Sequence, residues 1–89
     1  MDDETLKLFG FVLCSSYRTK ILLSLQKRPK FPSQIAEDIG IELMSISKIL
    51  TPLRKKGIIE LVNPEVRKGR IYRLTAVGEE IARHLDDEF

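Results

Sequence analysis

Residues 32–57 read "PSQIAEDIGIELMSISKILTPLRKKG". Pro32 suits the first position of a helix, where its missing N–H is not needed. Ile35, Ala36 and Ile39 then fall on one face, and Gly40 is placed as a left-handed C-cap would be. After a turn of very few residues a second apolar stripe follows: Leu43, Ile46, Ile49, Leu50 and Leu53. It predicts a helix from about Glu42 to Lys56, ended by Gly57. A short helix and a longer one across a glycine-marked turn make a helix-turn-helix.

Downstream of Gly57 the apolar period changes. "IIELV" and "RIYRLT" are rich in β-branched residues and predict two antiparallel strands, joined by the loop "NPEVRKGR" at 63–70. A hairpin placed directly after a helix-turn-helix is a wing. Upstream, Asp2 or Asp3 can cap a first helix in which Leu6, Phe9 and Leu13 follow helical spacing, with Phe11 and Val12 on another side. Ser15 or Ser16 can cap a second, "YRTKILLSLQK", with Tyr17, Ile21, Leu22 and Leu25 inward, and "KRPK" stops it. Thr75 caps a last helix carrying Val77, Ile81 and Leu85. The predicted fold is mostly α with a small β-hairpin. It is a winged helix-turn-helix with flanking helices at both termini, one domain over residues 1–89.

Bulk properties agree with one soluble domain. The chain has 89 residues, 43% hydrophobic and 31% charged, enough for a single modest core. No run reaches the ~18 apolar residues of a membrane helix, so no membrane partner is expected. One cysteine, Cys14, allows no internal disulfide and fits a reducing, cytoplasmic setting. Lying in "FGFVLC", it is expected to be a small core residue. Cys14 and His84, seventy residues apart, make no metal site, and no cofactor is expected. Paired carboxylates in a plausible cleft, a nucleophile–base pair and a phosphate-binding glycine loop are all missing, which argues against an enzyme.

The net charge of +2 hides a strong asymmetry. From Ser15 to Thr75 there are thirteen Lys or Arg against five Asp or Glu, a balance of +8. The two ends hold two basic residues against eight acids, a balance of −6. A basic middle between acidic ends suggests one cationic surface facing a polyanion.

Double-stranded DNA is the expected partner. With its stripe inward, the predicted fourth helix turns Met44, Ser45, Ser47, Lys48, Thr51 and Lys55 outward. Small hydroxyls and lysines suit base edges and phosphates in a major groove. Ser45, Lys48 and Thr51 are assigned to base contact, Ser47 and Lys55 to the backbone; the bland reading is a solvated helix face. Arg67, Lys68 and Arg70 cluster at the wing tip, where they can add nothing to a core, and fit a phosphate ridge or minor groove. Ser33 and Gln34 open the third helix, where free N–H groups favour phosphate. Arg18 and Lys20 extend the basic surface. Pro52, ten residues into its helix and directed away from the core, is expected to bend it, either fitting the helix to the groove or redirecting "LRKKG".

"SISKILTPLRKKGII" together with "KGRIYRLTAVGEEI" resembles archaeal winged-helix transcriptional regulators of the ArsR/MarR-like group. The resemblance covers roughly residues 11–85, and its most specific pieces are "PSQIAEDIGI", "ISKIL..LRKKGII" and "NPE.RKGR.YRLT..G". It implies promoter binding as a homodimer, with recognition positions Met44, Ser45, Ser47, Lys48 and Thr51 and wing positions Arg67, Lys68 and Arg70. The chain departs from the group's pattern in three places. It lacks the Cys-rich motif of metal sensors. It has Glu42 where a small polar cap is usual, and Phe31 where Thr or Ser often precedes the proline. Apolar residues on the terminal helices exceed what one small core can bury, which suggests an isologous interface over 1–14 and 76–89, through Leu6, Phe9, Leu13, Ile81 and Leu85. Phe89 is a further candidate for it. Two other readings stay open: a winged-helix protein-interaction module in a larger assembly, and a non-specific chromosomal DNA-binding protein.

Overall fold

A computed structural model describes residues 1–88. The elements, in chain order, are α1 (Asp3–Leu13), α2 (Ser16–Lys27), α3 (Pro32–Ile39), α4 (Leu43–Lys55), β1 (Ile59–Leu61), β2 (Tyr72–Leu74) and α5 (Ala76–Glu88). This is the winged helix-turn-helix anticipated from the sequence. Phe89 lies outside the described residues.

The helix-turn-helix owes its shape to one device used twice. At Gly40, φ is +75°; its N–H reaches the Glu37 carbonyl at 3.3 Å, and the Ile41 N–H reaches Ala36 O at 3.0 Å. At Gly57, φ is +76°; its N–H reaches Arg54 O and the Ile58 N–H reaches Leu53 O, both at 3.0 Å. Each is a Schellman closure, in which a left-handed residue satisfies the last carbonyls and the isoleucine after it turns back onto the core. The sequence "GI" at 40–41 and again at 57–58 is therefore what ends α3 and α4.

The core gathers Val12, Ile21, Leu22, Leu25, Ile35, Ile39, Ile46, Leu50, Leu53, Ile58, Ile59, Leu74, Ile81 and Leu85 from every element. Thr75 locks the hairpin to α5. Its Oγ1 accepts from the Gly78 N–H at 3.1 Å and donates to the Gly57 carbonyl at 2.6 Å. The strands pair antiparallel with Ile59 opposite Leu74 and Leu61 opposite Tyr72. A third strand position was not foreseen. Lys30 pairs with Tyr72, its N–H reaching Tyr72 O at 3.0 Å and its carbonyl accepting from the Tyr72 N–H at 2.9 Å. The "KRPK" stop thus doubles as the outer edge of the sheet.

Several expectations need correction. α1 is rotated about its axis from the predicted setting. Thr5 and Val12 are buried and Leu8 and Phe9 pack partly, so the inner face runs 5, 8, 9, 12. Leu6 and Leu13 are 54% and 44% exposed. Cys14 is exposed, because α1 ends one residue earlier and the chain turns sharply there; the axes of α1 and α2 diverge by 111°. Tyr17 and Leu43 also lie outside the core. Pro52 is half-buried, not directed away from the core, and α4 runs through it to Lys55. Ile81 and Leu85, expected at a dimer interface, are completely buried within the chain. A side chain already enclosed by its own core cannot also face a partner. Among the described residues, no single helix is long and apolar enough to cross a membrane.

Candidate nucleic-acid interface

The fold sets every outward residue of α4 free. Met44, Ser45, Ser47, Lys48, Thr51 and Lys55 are all exposed, while Ile46, Leu50 and Leu53 anchor the opposite face. Glu42 occupies the N-cap without a side-chain hydrogen bond to the first turn; there its carbonyl accepts from the Ser45 N–H at 3.0 Å. Thr51 is not simply free. Its hydroxyl donates to the Ser47 carbonyl at 2.8 Å, one turn back. With the proton so used, Thr51 presents lone pairs and a methyl group outward, and suits a base that offers an amino group.

The wing tip is braced from within. Asn63 Nδ2 donates to Gly69 O at 2.9 Å, and Asn63 Oδ1 accepts from the Ile71 N–H at 2.8 Å. Arg70 Nε donates to the Val66 carbonyl at 3.1 Å, which leaves its other guanidinium donors available. Arg67 and Lys68 are exposed on the same loop. Asn63 thus does more than open a turn: one amide side chain ties both sides of the loop, fixing where the three cations sit.

The wing folds against the start of α3. Ser33 shares a cleft with Arg67 and Arg70, together with Phe31, Pro32, Leu43 and Gly69. This joins three of the sequence-assigned residues and brings in four that were not assigned, Phe31 and Leu43 among them. Phe31 gives no side-chain cap, as its chemistry requires; instead Gln34 Oε1 accepts from the Phe31 N–H at 3.0 Å. Gln34 is therefore partly committed to closing its own helix.

The second-helix cations separate from this surface. Arg18 lies 3.8 Å above the Phe11 ring and donates from Nη1 to Phe11 O at 2.8 Å, with Lys56 at 4.8 Å from the same ring. Arg18 therefore holds α1 to α2 with part of its guanidinium, a role that its assignment to the basic surface did not include. Lys20 lines a different depression, with Leu23, Ser24, Lys27, Lys30 and Asp38. There Lys30 is almost fully buried and ion-paired to Asp38, and Ser24 Oγ donates to the same carboxylate at 2.6 Å. The hydrogen bonds from Lys30 and then Ser24 hold the Asp38 carboxyl below its ordinary value. Nothing in the "KRPK" composition marked one of its lysines as buried.

Among the described residues, no group of three or more His, Cys, Asp or Glu side chains is placed to hold a metal ion.

Comparison with known proteins fits this geometry. No family model matches the chain. Solved structures similar to it include the transcriptional repressor BigR from Xylella fastidiosa, with TM-score 0.77 and 23% identity over 92% of this chain and 80% of that one. TubR from Bacillus thuringiensis serovar israelensis, bound to 24 bp of tubC, gives TM-score 0.80 at 14% identity, covering 96% and 95%. The homodimeric winged helix-turn-helix DNA-binding domain Mb0332 from Mycobacterium bovis gives 0.69 at 25% identity, covering 99% and 83%. The fold is a winged helix-turn-helix. By sequence, 68 residues are 38% identical to the phenylalanine–tRNA ligase alpha subunit of Metallosphaera sedula. That segment is 75% of this chain, and the match spans 14% of the ligase subunit's length.

Proposed function

We propose that the protein is a DNA-binding transcription regulator. In this reading α4 enters a major groove, and the wing at 63–70 rests on the adjacent backbone or minor groove. The observation that carries it is the joint placement of an exposed Ser/Thr/Lys face on α4 and a braced cationic wing beside the α3 start. A polyanion could meet all three at once. Neighbours of the same fold act on DNA: TubR is bound to a 24-bp duplex and Mb0332 is a DNA-binding domain. The Mb0332 domain is also homodimeric, and α1 offers this chain a face for self-association. Leu6 and Leu13 are exposed on α1, with Gly10 between them at helical spacing. Phe9, half-buried against His84 at a ring separation of 6.2 Å, lies behind that face.

A second reading has one observation in its favour. The sequence relative is a subunit of a tRNA ligase, so the same cationic face would meet structured RNA as one module of a larger assembly. Fluorescence anisotropy on a mixed-sequence duplex, over a salt series and with tRNA as competitor, separates the two. The regulator reading expects duplex binding whose log–log salt slope is several units, close to −0.9 per phosphate neutralised, and weak competition by tRNA. Displacement by tRNA at equal nucleotide concentration would favour the second reading, and absence of binding to either would remove both.

A further inference from the structure

The cleft between the wing and the start of α3 has a composition that duplex binding does not account for. It measures about 370 Å³, within the ~300–1,000 Å³ range of small-ligand sites. Three of its lining residues are apolar: Phe31, 41% exposed, Leu43, 57% exposed, and Pro32 at the first position of α3. Arg67 and Arg70 line it as well, and among the described residues no acid lines it. Gly69 backs onto the Phe31 ring, an added Cβ there lying 3.9 Å from the ring edge.

A continuous duplex offers these apolar residues little. Stacked bases present their edges in the grooves, so an aromatic ring beside the backbone meets only sugar and phosphate. A base that has left the stack presents a face, and aromatic rings and guanidinium planes are the groups that receive it. Arg70 is already oriented by its bond to the Val66 carbonyl and keeps donors for a phosphate. We propose that this cleft takes one unstacked nucleotide of the bound nucleic acid, its base against Phe31 and its phosphate between Arg67 and Arg70. The protein then prefers a duplex interrupted by an unpaired nucleotide to a continuous one. This rests on the nucleic-acid reading above.

The test uses the full chain and two DNA duplexes, identical except for one bulged 2-aminopurine. The bulged duplex is expected to bind about fivefold tighter or more, the lower end of what one aromatic–base stack gives, with a change in 2-aminopurine emission on binding. Phe31→Ala should erase both the preference and the emission change, so that the two duplexes bind alike. Phe31→Trp should retain both, which a merely structural role for Phe31 would not explain. Since Phe31 is exposed and makes no side-chain cap, neither variant threatens folding. Equal affinity for the two duplexes overturns the nucleotide site and leaves the regulator reading standing. Binding to neither duplex overturns the nucleic-acid reading and this site with it.

Discussion

At the scale of single residues, the least expected feature is a lysine inside the fold. Lys30 is held by its strand pairing with Tyr72 and is buried against Ser24 and Asp38. A buried ammonium without a partner is costly, so the half-exposed Asp38 is what makes this position tolerable. Removing Asp38 should therefore destabilise more than replacing Lys30 by methionine, which keeps the packing and takes the charge away. The pair also sets a pH dependence. Asp38 titrates lower in the folded chain than when unfolded. Between those two values the unfolded state binds more protons, so stability rises with pH there. The contribution is complete above the unfolded carboxylate value of ~3.9 and is lost as pH falls through the folded one. Urea midpoints from pH 2 to 7 should fall more steeply on acidification for the natural chain than for Asp38→Asn. Parallel curves would mean that the pair forms too weakly to matter.

Among the elements, two glycines in helices predict opposite outcomes from the same substitution. Gly78, in the first turn of α5, sits so close to the backbone just before β1 that an added Cβ would meet the Ile58 carbonyl oxygen at 2.1 Å. That oxygen also accepts from the Thr75 N–H at 3.1 Å, so it cannot move without losing a bond. Gly78→Ala should cost ~2 kcal/mol or more in urea unfolding, as overpacking against backbone does. Gly10, midway along α1, has nothing within 4 Å of the same position. Gly10→Ala should gain about 0.5–1 kcal/mol through helix propensity, measured at a dilution where the chain is monomeric. A loss that grows with protein concentration would show a second copy pressed against α1 at that point. The same elements show what the sequence could reveal. Gly40 and Gly57 were readable as helix ends because each follows a clean apolar stripe and no other residue takes that conformation so cheaply. The setting of α1 was not readable, since a helix with apolar residues on several sides has no preferred face until its neighbours choose one. Lys30 as a strand position was hidden for a related reason: a single bridged residue has no period. The outward row of α4 and the wing cations follow from spacing alone. Phe31 and Leu43 do not, because their meeting with the wing depends on how a loop folds over two helix starts.

For the whole molecule, the question is whether wing and α4 divide the work of one interface. The +8 central segment and −6 ends imply a field that would orient the chain on a polyanion before any base is read. Within that field, Lys68 stands exposed on the wing loop braced by Asn63. Lys68→Ala should weaken binding to every duplex by a similar factor and lower the salt slope by about one unit. Thr51 differs in chemistry: its proton is held by the Ser47 carbonyl, which leaves its lone pairs free to accept. Thr51→Ala should leave the salt slope unchanged and alter the ranking of sequences at one base position, by roughly 1–3 kcal/mol of discrimination. Anisotropy titrations of both variants against a small duplex library, each at three salt concentrations, separate the two effects. If both variants shift affinity uniformly and change the slope alike, α4 is another phosphate-binding surface, and the molecule binds DNA without reading it.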